Sequence, residues 1–404
     1  MDFTPTKKQY RSGKKNLEEA AKIGNLSLVK RLWSQGVKTR NALRLAAENG
    51  HLDVVKYLVE QGADLHADDE EALRLAAKQR HLDVVKYLVE QGADIHVRDE
   101  DILKRAVKQG YLDIFKYLIE LRPNNYFDEE DLSWVTRNGY PDSAKYLASR
   151  LSIAKNRFDD ETWLIIAAMY GHFDIVKYLV ERGVNFHARD ESALRWAAEN
   201  GHLDVVKYLV ERGADIQAMG EDALISAAEQ GHLDVVKYLV EQGSDLHAMD
   251  EYALRSAAMN GYLNVVKYLV EQGADLHVRE DQALRLAAWY GHLDVVKYLV
   301  EQGADLHVGN EDILRSAVEN SYLDAIEYLV EQGADLHADD EYALRSAARN
   351  GDLDVVKYLV KQGADLHAKD EEALRLADEN GHSDVVKYLI EQGADASYLY
   401  LTNQ

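Results

Sequence analysis

The sequence predicts an all-α fold in which short helix–turn–helix units stack into a solenoid with short loops. Three observations predict it. The stretch His51–Ala67, HLDVVKYLVEQGADLHA, returns almost unchanged at His81, His202, His232 and His292. Its usual spacing is 30 residues, a period at which each unit buries its apolar face only against its neighbours. Within each period, apolar residues recur at helical spacing in two short runs separated by a break that usually contains Gly.

Asp69–Arg98 serves as a typical unit. In Glu70–Ala77 the apolar residues fall at i, i+3 and i+4, which predicts a short first helix. Asp69 is placed to cap it, as are Asp99, Asp190, Asp250, Asp340 and Asp370, with Gly220 and Asn310 as acceptable variants and Glu280 as the exception. The Glu that usually follows falls in the first turn, where the helix dipole favours negative charge. Gly50, Gly110, Gly201, Gly231 and their equivalents close the first helix in the left-handed conformation. Arg80 and Ser321 stand in that Gly column and are expected weak points. The second helix, Leu82–Gln91, has a predicted buried stripe of Val85, Leu88 and Val89 and a solvated face of Asp83, Lys86 and Glu90. Gly92 ends it, and Ala93-Asp94-Ile95-His96 leads on as an extended turn.

The recurring motifs are A-A-x-x-G-H, then V-V-x-x-L-V, then G-A-D, over roughly residues 17–397. In these the chain resembles the ankyrin repeat. It departs from that family in unit length, about thirty-three residues there, and in reading E-A-L-R-x-A where the family has T-P-L-H-x-A. The Thr and His that tie neighbouring loops in the family are missing, and the residues by which the unit is shorter fall at the family's projecting β-turn finger, so the resemblance implies stubby loop fingers. The wording KYLVEQGADLHA resembles the expanded ankyrin family of giant DNA viruses that infect amoebae.

Nearly every residue belongs to one array of about 13 units, which leaves no room for a separate catalytic domain. The formal net charge of −24 argues against nucleic acid and anionic membrane as main partners. The chain has no Cys, which excludes disulfides and Cys-ligated zinc and fits a reducing compartment. Met1-Asp2-Phe3-Thr4-Pro5 lacks an apolar signal core, and no run approaches membrane-spanning length. The expectation is a monomeric, soluble, cytoplasmic protein that is not secreted.

Residues 1–16 read as a tail with a basic cluster of Lys7, Lys8, Arg11, Lys14 and Lys15, either a disordered solvated segment or a localisation signal. An eroded first unit begins near Leu17, as an end unit exposes one face. Residues 121–162 are irregular: Pro123 falls where the G-A-D turn belongs, and Pro141 suits the first position of a helix. This region is either a degenerate unit that still stacks or a bend between two arrays. Asp378 and Ser383 put polar residues at normally buried positions of the last unit, as a cap requires. The tail 398–404 either folds back on the last helix pair or docks elsewhere.

No catalytic constellation stands apart from the repeat, so neither enzyme activity nor a cofactor is expected. The histidines fill two repeat columns, one containing His51 and His202, the other His66 and His247. A catalytic His needs a unique environment, so these read as structural. A metal ladder fails because neighbouring units stack at roughly 10 Å, while zinc needs ligands about 2 Å away. Asp53 with Lys56, and copies such as Asp204 with Lys207, read as exposed one-turn ion pairs. Tyr57, Tyr87, Tyr208, Tyr238 and Tyr298 read as half-buried packing.

A partner should bind where the copies differ. In the family, ligands meet the face formed by first helices and loop tips, and here the pair before each Gly varies. Most pairs are polar, such as Glu48-Asn49, Glu229-Gln230 and Arg349-Asn350, but Met169-Tyr170, Met259 and Trp289-Tyr290 are not. Large aromatics at solvated positions are common interface anchors. Met219, Met249, Tyr252 and Tyr342 add to this set in the loop column. The competing reading is that these side chains fill gaps beside Ser226, Ser256 and Ser316. Trp196 shares a column with Leu45, Leu75, Leu286 and Leu376 and reads as packing. The candidate protein-binding residues are therefore Met259, Trp289, Tyr290, Met169, Tyr170 and Tyr252. The resemblance implies a non-catalytic protein-interaction scaffold, working in a host cell if the viral likeness holds. The alternative is an adaptor that brings a host protein to the ubiquitin ligase machinery, although the chain shows no degradation-box motif.

Overall fold

The computed structural model describes residues 7–95, 102–121, 129–151, 160–219, 221–307 and 312–400. These residues form 26 α-helices and no strand. They divide into two compact units, Met1–Ile166 and Ala167–Gln404.

The same packing recurs within each unit. In the regular repeats a first helix lies against the next first helix, as Asn41–Glu48 against Ala67–Lys78, and a second helix against the next second helix, as Leu52–Glu60 against Leu82–Glu90. The interior of a repeat is small on one side and branched on the other. Ala72, Leu73, Ala76 and Ala77 line the first helix, and Val84, Val85 and Leu88 the second. Val84 is buried where the sequence pointed to Val89, which is only half-buried. Burying a Leu or Val of this kind contributes about 1.5–3 kcal/mol.

The chain enters each regular first helix in an unexpected way. Asp68, Asp69 and Glu70 have φ of 51, 57 and 59°, three consecutive left-handed residues. The same triplet occurs at Arg189–Glu191, Met249–Glu251, Arg279–Asp281, Asp339–Glu341 and Lys369–Glu371. The Asp column therefore falls inside the left-handed turn and does not open a helix: Asp69, Asp190, Asp250, Asp340 and Asp370 are each the middle residue of their triplet. Asp99 and Asn310 lie outside the described residues. The Glu that follows is not in a solvated first turn either. Glu70, Glu191, Glu251, Glu341 and Glu371 are buried. Left-handed residues with a Cβ cost about 1–2 kcal/mol each, so the triplet needs support. The Arg of E-A-L-R supplies part of it. Arg255 donates from Nε to the Asp250 carbonyl at 2.8 Å and from Nη2 to the Met249 carbonyl at 2.8 Å. Arg345 and Arg375 repeat the arrangement.

The described ends are both structured, and residues 401–404 of the tail lie outside the described residues. Lys7–Lys22 is one helix, so the predicted basic tail of residues 1–16 is helical from Lys7 onward. At the other end Ala396–Tyr400 forms a 3-10 turn packed on the helix Ala368–Glu379, the folded-back alternative. Asp378 and Ser383 are exposed. Glu129–Arg137 and Pro141–Leu151 form a helix pair within the irregular region, the second packing on Leu112–Glu120, and Pro141 opens its helix. Pro123 lies outside the described residues.

Candidate functional site

Two sets of polar contacts join neighbouring repeats, and they establish which side chains are committed to structure. The first is at the Gly turn. His51, His81, His202, His232, His292 and His382 each donate from Nε2 to a carbonyl at the end of the preceding first helix, as His292 to Met259 at 2.9 Å. The ring lies flat on the preceding Gly. A Cβ built on Gly50, where φ is +76°, would fall 2.6 Å from the His81 ring. That Gly is required twice over, for its conformation and for close approach. Arg80 and Ser321 do adopt positive φ, 64 and 61°. Opposite Ser321, however, the next repeat has Asp352 in place of His, and the Ser321 hydroxyl donates to the Asp352 carboxylate. Arg80 faces Tyr111, its guanidinium 5.6 Å from the ring centroid.

The second set lies at the loops. Nδ1 of His187, His247, His337 and His367 donates to the buried Glu four residues on, at 2.5 Å in each case, and His66 does the same to Glu70. The same carboxylate reaches the next repeat: Glu251 Oε1 accepts the Asp275 N–H at 3.2 Å, and Glu191 Oε1 the Asp215 N–H at 3.2 Å. In the family this chain resembles, Thr and His tie the loops; here a buried carboxylate does so. The Glu hydrogen bond raises the pKa of His66, His247, His337 and His367. Glu221 is the exception, because Gln217 takes the place of its His. It keeps the Asp245 N–H at 3.0 Å, and burial raises its pKa. Among the described residues no cluster of three or more His, Asp or Glu could hold a metal ion.

The second helices carry another ladder. Lys56, Lys86, Lys207, Lys237 and Lys267 each lie over the Tyr of the following repeat, with Nζ 5.4–5.6 Å from the ring centroid. This corrects the expected one-turn ion pairs. Of that column only Lys357 with Asp354, at 3.6 Å, forms one among the described residues. Asp53 and Asp204 instead accept the N–H of the residue that follows them. Tyr57, Tyr87, Tyr238 and Tyr298 are half-buried, and Tyr208 is buried.

Against this background the sequence-nominated binding residues stand out by exposure. Trp289 is 41%, Tyr290 46%, Tyr170 42% and Tyr252 40% exposed, while Met259 and Met169 are half-buried. Ser256 and Ser316 are themselves buried, and Trp196 is half-buried. The structure draws Met259, Trp289 and Tyr290 into one neighbourhood. The helices Ala248–Met259 and Gln282–Trp289 pack together, and His292, two residues past Tyr290, holds the Met259 carbonyl. It also adds Tyr322, 37% exposed, whose ring covers Gly291 next to Tyr290. Sequence reading missed Tyr322; the available signal was a Tyr in a His column. Met169 and Tyr170 lie three repeats before Met259 and four before Trp289 and Tyr290. Tyr252 is near the other end of its helix, under the Arg255 guanidinium at 4.9 Å, on the side of the exposed loop residues Met219 and Met249.

Comparison with known proteins agrees with this architecture. The family model for ankyrin repeats in three copies matches residues 17–99, 103–190, 185–250, 224–310, 254–340 and 314–398. The chain belongs to the ankyrin repeat family, whose members generally mediate protein–protein interactions. Among solved structures it is similar to the human ASB11 ankyrin repeat domain, at 24% identity and a TM-score of 0.46, over 50% of this chain and 98% of that one. No curated protein matches it. No helix among the described residues is long and apolar enough to cross a membrane.

Proposed function

We propose that this protein is a non-catalytic interaction scaffold that holds a protein partner on the patch formed by Met259, Trp289 and Tyr290, with Tyr322 at its edge. Met169, Tyr170 and Tyr252 provide secondary contacts. The observation that carries the reading is the exposure of Trp289 and Tyr290 in a column that is polar in most repeats. Hiding a large aromatic in an interface is the commonest source of concentrated binding energy. The scaffold acts as a monomer in the cytoplasm. Its setting, on the wording of the repeat alone, is a host cell infected by a large DNA virus.

The test is the double variant Trp289→Glu, Tyr290→Asn, which restores the polar wording of neighbouring repeats. We expect an unchanged circular dichroism melt and a loss of about thirtyfold in affinity for partners captured from host lysate. Normal folding with undiminished capture rejects the patch. Recovery of ubiquitin ligase subunits as the main partners would favour the adaptor role instead.

A further inference from the structure

The charge of this chain is not evenly spread. Residues 1–166 hold as many basic as acidic side chains, so the whole formal excess of −24 lies in residues 167–404. Between Glu221 and Asp340, the stretch that contains the aromatic patch, acidic residues outnumber basic ones by more than three to one. An exposed apolar patch in such a field attracts cationic partners and repels anionic ones.

Local chemistry narrows the kind of cation. The rings of the second-helix ladder are already covered by the chain's own lysines. Among the described residues no Lys or Arg lies over Trp289, Tyr290 or Tyr322. One repeat further on, the surface shows how it accommodates a guanidinium. Arg315 lies over the Tyr342 ring at 4.2 Å and donates from Nε to Glu319 at 3.0 Å, while the Tyr342 hydroxyl donates to the same carboxylate. Glu319 occupies the column of Met259 and Trp289, and its helix packs directly on Gln282–Trp289. An aromatic face with a carboxylate at its rim suits a planar, weakly hydrated guanidinium better than an ammonium.

We infer that the partner presents an arginine-rich segment to Trp289, Tyr290 and Tyr322. This rests on the docking role proposed above and specifies what docks. The ring faces take the guanidinium planes by cation–π contact, and the surrounding acidic field supplies attraction at longer range.

The test is isothermal titration calorimetry of the full chain with three synthetic peptides of equal length. One alternates Arg with Gly, one replaces each Arg by citrulline, which keeps the shape and removes the charge, and one alternates Leu with Ser. We expect the arginine peptide to bind at least about tenfold more tightly than the citrulline peptide. The variant Trp289→Ala, Tyr290→Ala should lose about tenfold for the arginine peptide while keeping its melting curve. If citrulline or Leu-Ser peptides bind as well as the arginine peptide and all lose affinity in the variant, the docking patch stands and the cationic partner is rejected. Arginine-peptide binding that the variant leaves untouched places the cation elsewhere and rejects both. Absence of arginine-peptide binding overturns the inference, and the lysate capture then judges the docking role by itself.

Discussion

Ser321 and Asp352 form a compensated pair, and exchanging them for the usual Gly and His tests the packing rule of the whole array. Ser321→Gly alone relieves a non-Gly residue at φ 61°, a gain of about 1 kcal/mol. It also removes the hydroxyl that donates to Asp352, and a hydrogen bond to a charged group contributes roughly 1.5–3 kcal/mol, less at this partly exposed site. The two terms nearly cancel, so the single change should be neutral or mildly destabilising. Asp352→His alone puts an imidazole where the Ser321 Cβ stands. At Gly50 and Gly201 the equivalent separation would be 2.6 Å, so overpacking should cost about 1–3 kcal/mol. The double change removes the clash, relieves the backbone and lets the new imidazole reach the Glu319 carbonyl, as His382 reaches that of Arg349. It should be more stable than the parent, with a coupling of about 2 kcal/mol. A long array is not two-state, so the local reading is amide exchange over residues 312–361, alongside urea melts. Single effects that simply add, within about 0.5 kcal/mol, would refute the Gly–imidazole rule.

Three further outcomes are expected. Stability should fall as pH rises above 6.5, because His66, His247, His337 and His367 have folded pKa values above the unfolded 6.5: their contribution is complete below 6.5 and is lost as pH climbs through the raised value. Replacing these four by Gln should flatten the dependence, and an unchanged slope in thermal melts would assign it to other groups. Gln217→His should give Glu221 its missing imidazole, lowering the Glu221 pKa in an NMR titration and slowing exchange of the Asp245 amide. Glu327→Lys should place an ammonium over Tyr358, whose hydroxyl now donates to the Glu327 carbonyl at 3.2 Å, for a gain of about 0.5 kcal/mol in urea melts.

The helix pairs, the Gly turns and the half-buried Tyr column were legible because they follow from periodicity and local backbone needs. The errors concern contacts that leave the repeat. Asp69 looked like a cap, yet the left-handed triplet turns Glu70 inward toward His66. Lys56 looked like a partner for Asp53 one turn away, yet it lies over Tyr87, 31 residues on. Ser321 looked like an isolated defect because its compensation, Asp352, also lies 31 residues away. Spacing within a helix shows nothing of a neighbour stacked alongside. Trp289 and Tyr290 could be picked from the sequence as departures from a polar column. Tyr322 gave a weaker signal, a Tyr in a column that is His in most repeats, and only the structure shows it exposed beside Tyr290.

The Gly–imidazole contact also governs how such a chain can change length. Loss of residues 202–231 would leave Gly201 facing the Tyr262 ring, a pairing Gly231 already makes, so the seam would heal. Loss of residues 322–351 would instead bring Ser321 under the His382 ring, with a Cβ where none fits. Recombination between near-identical units is therefore not free along this array. Each junction passes a size requirement to the next repeat, and a unit is interchangeable only with one that meets it.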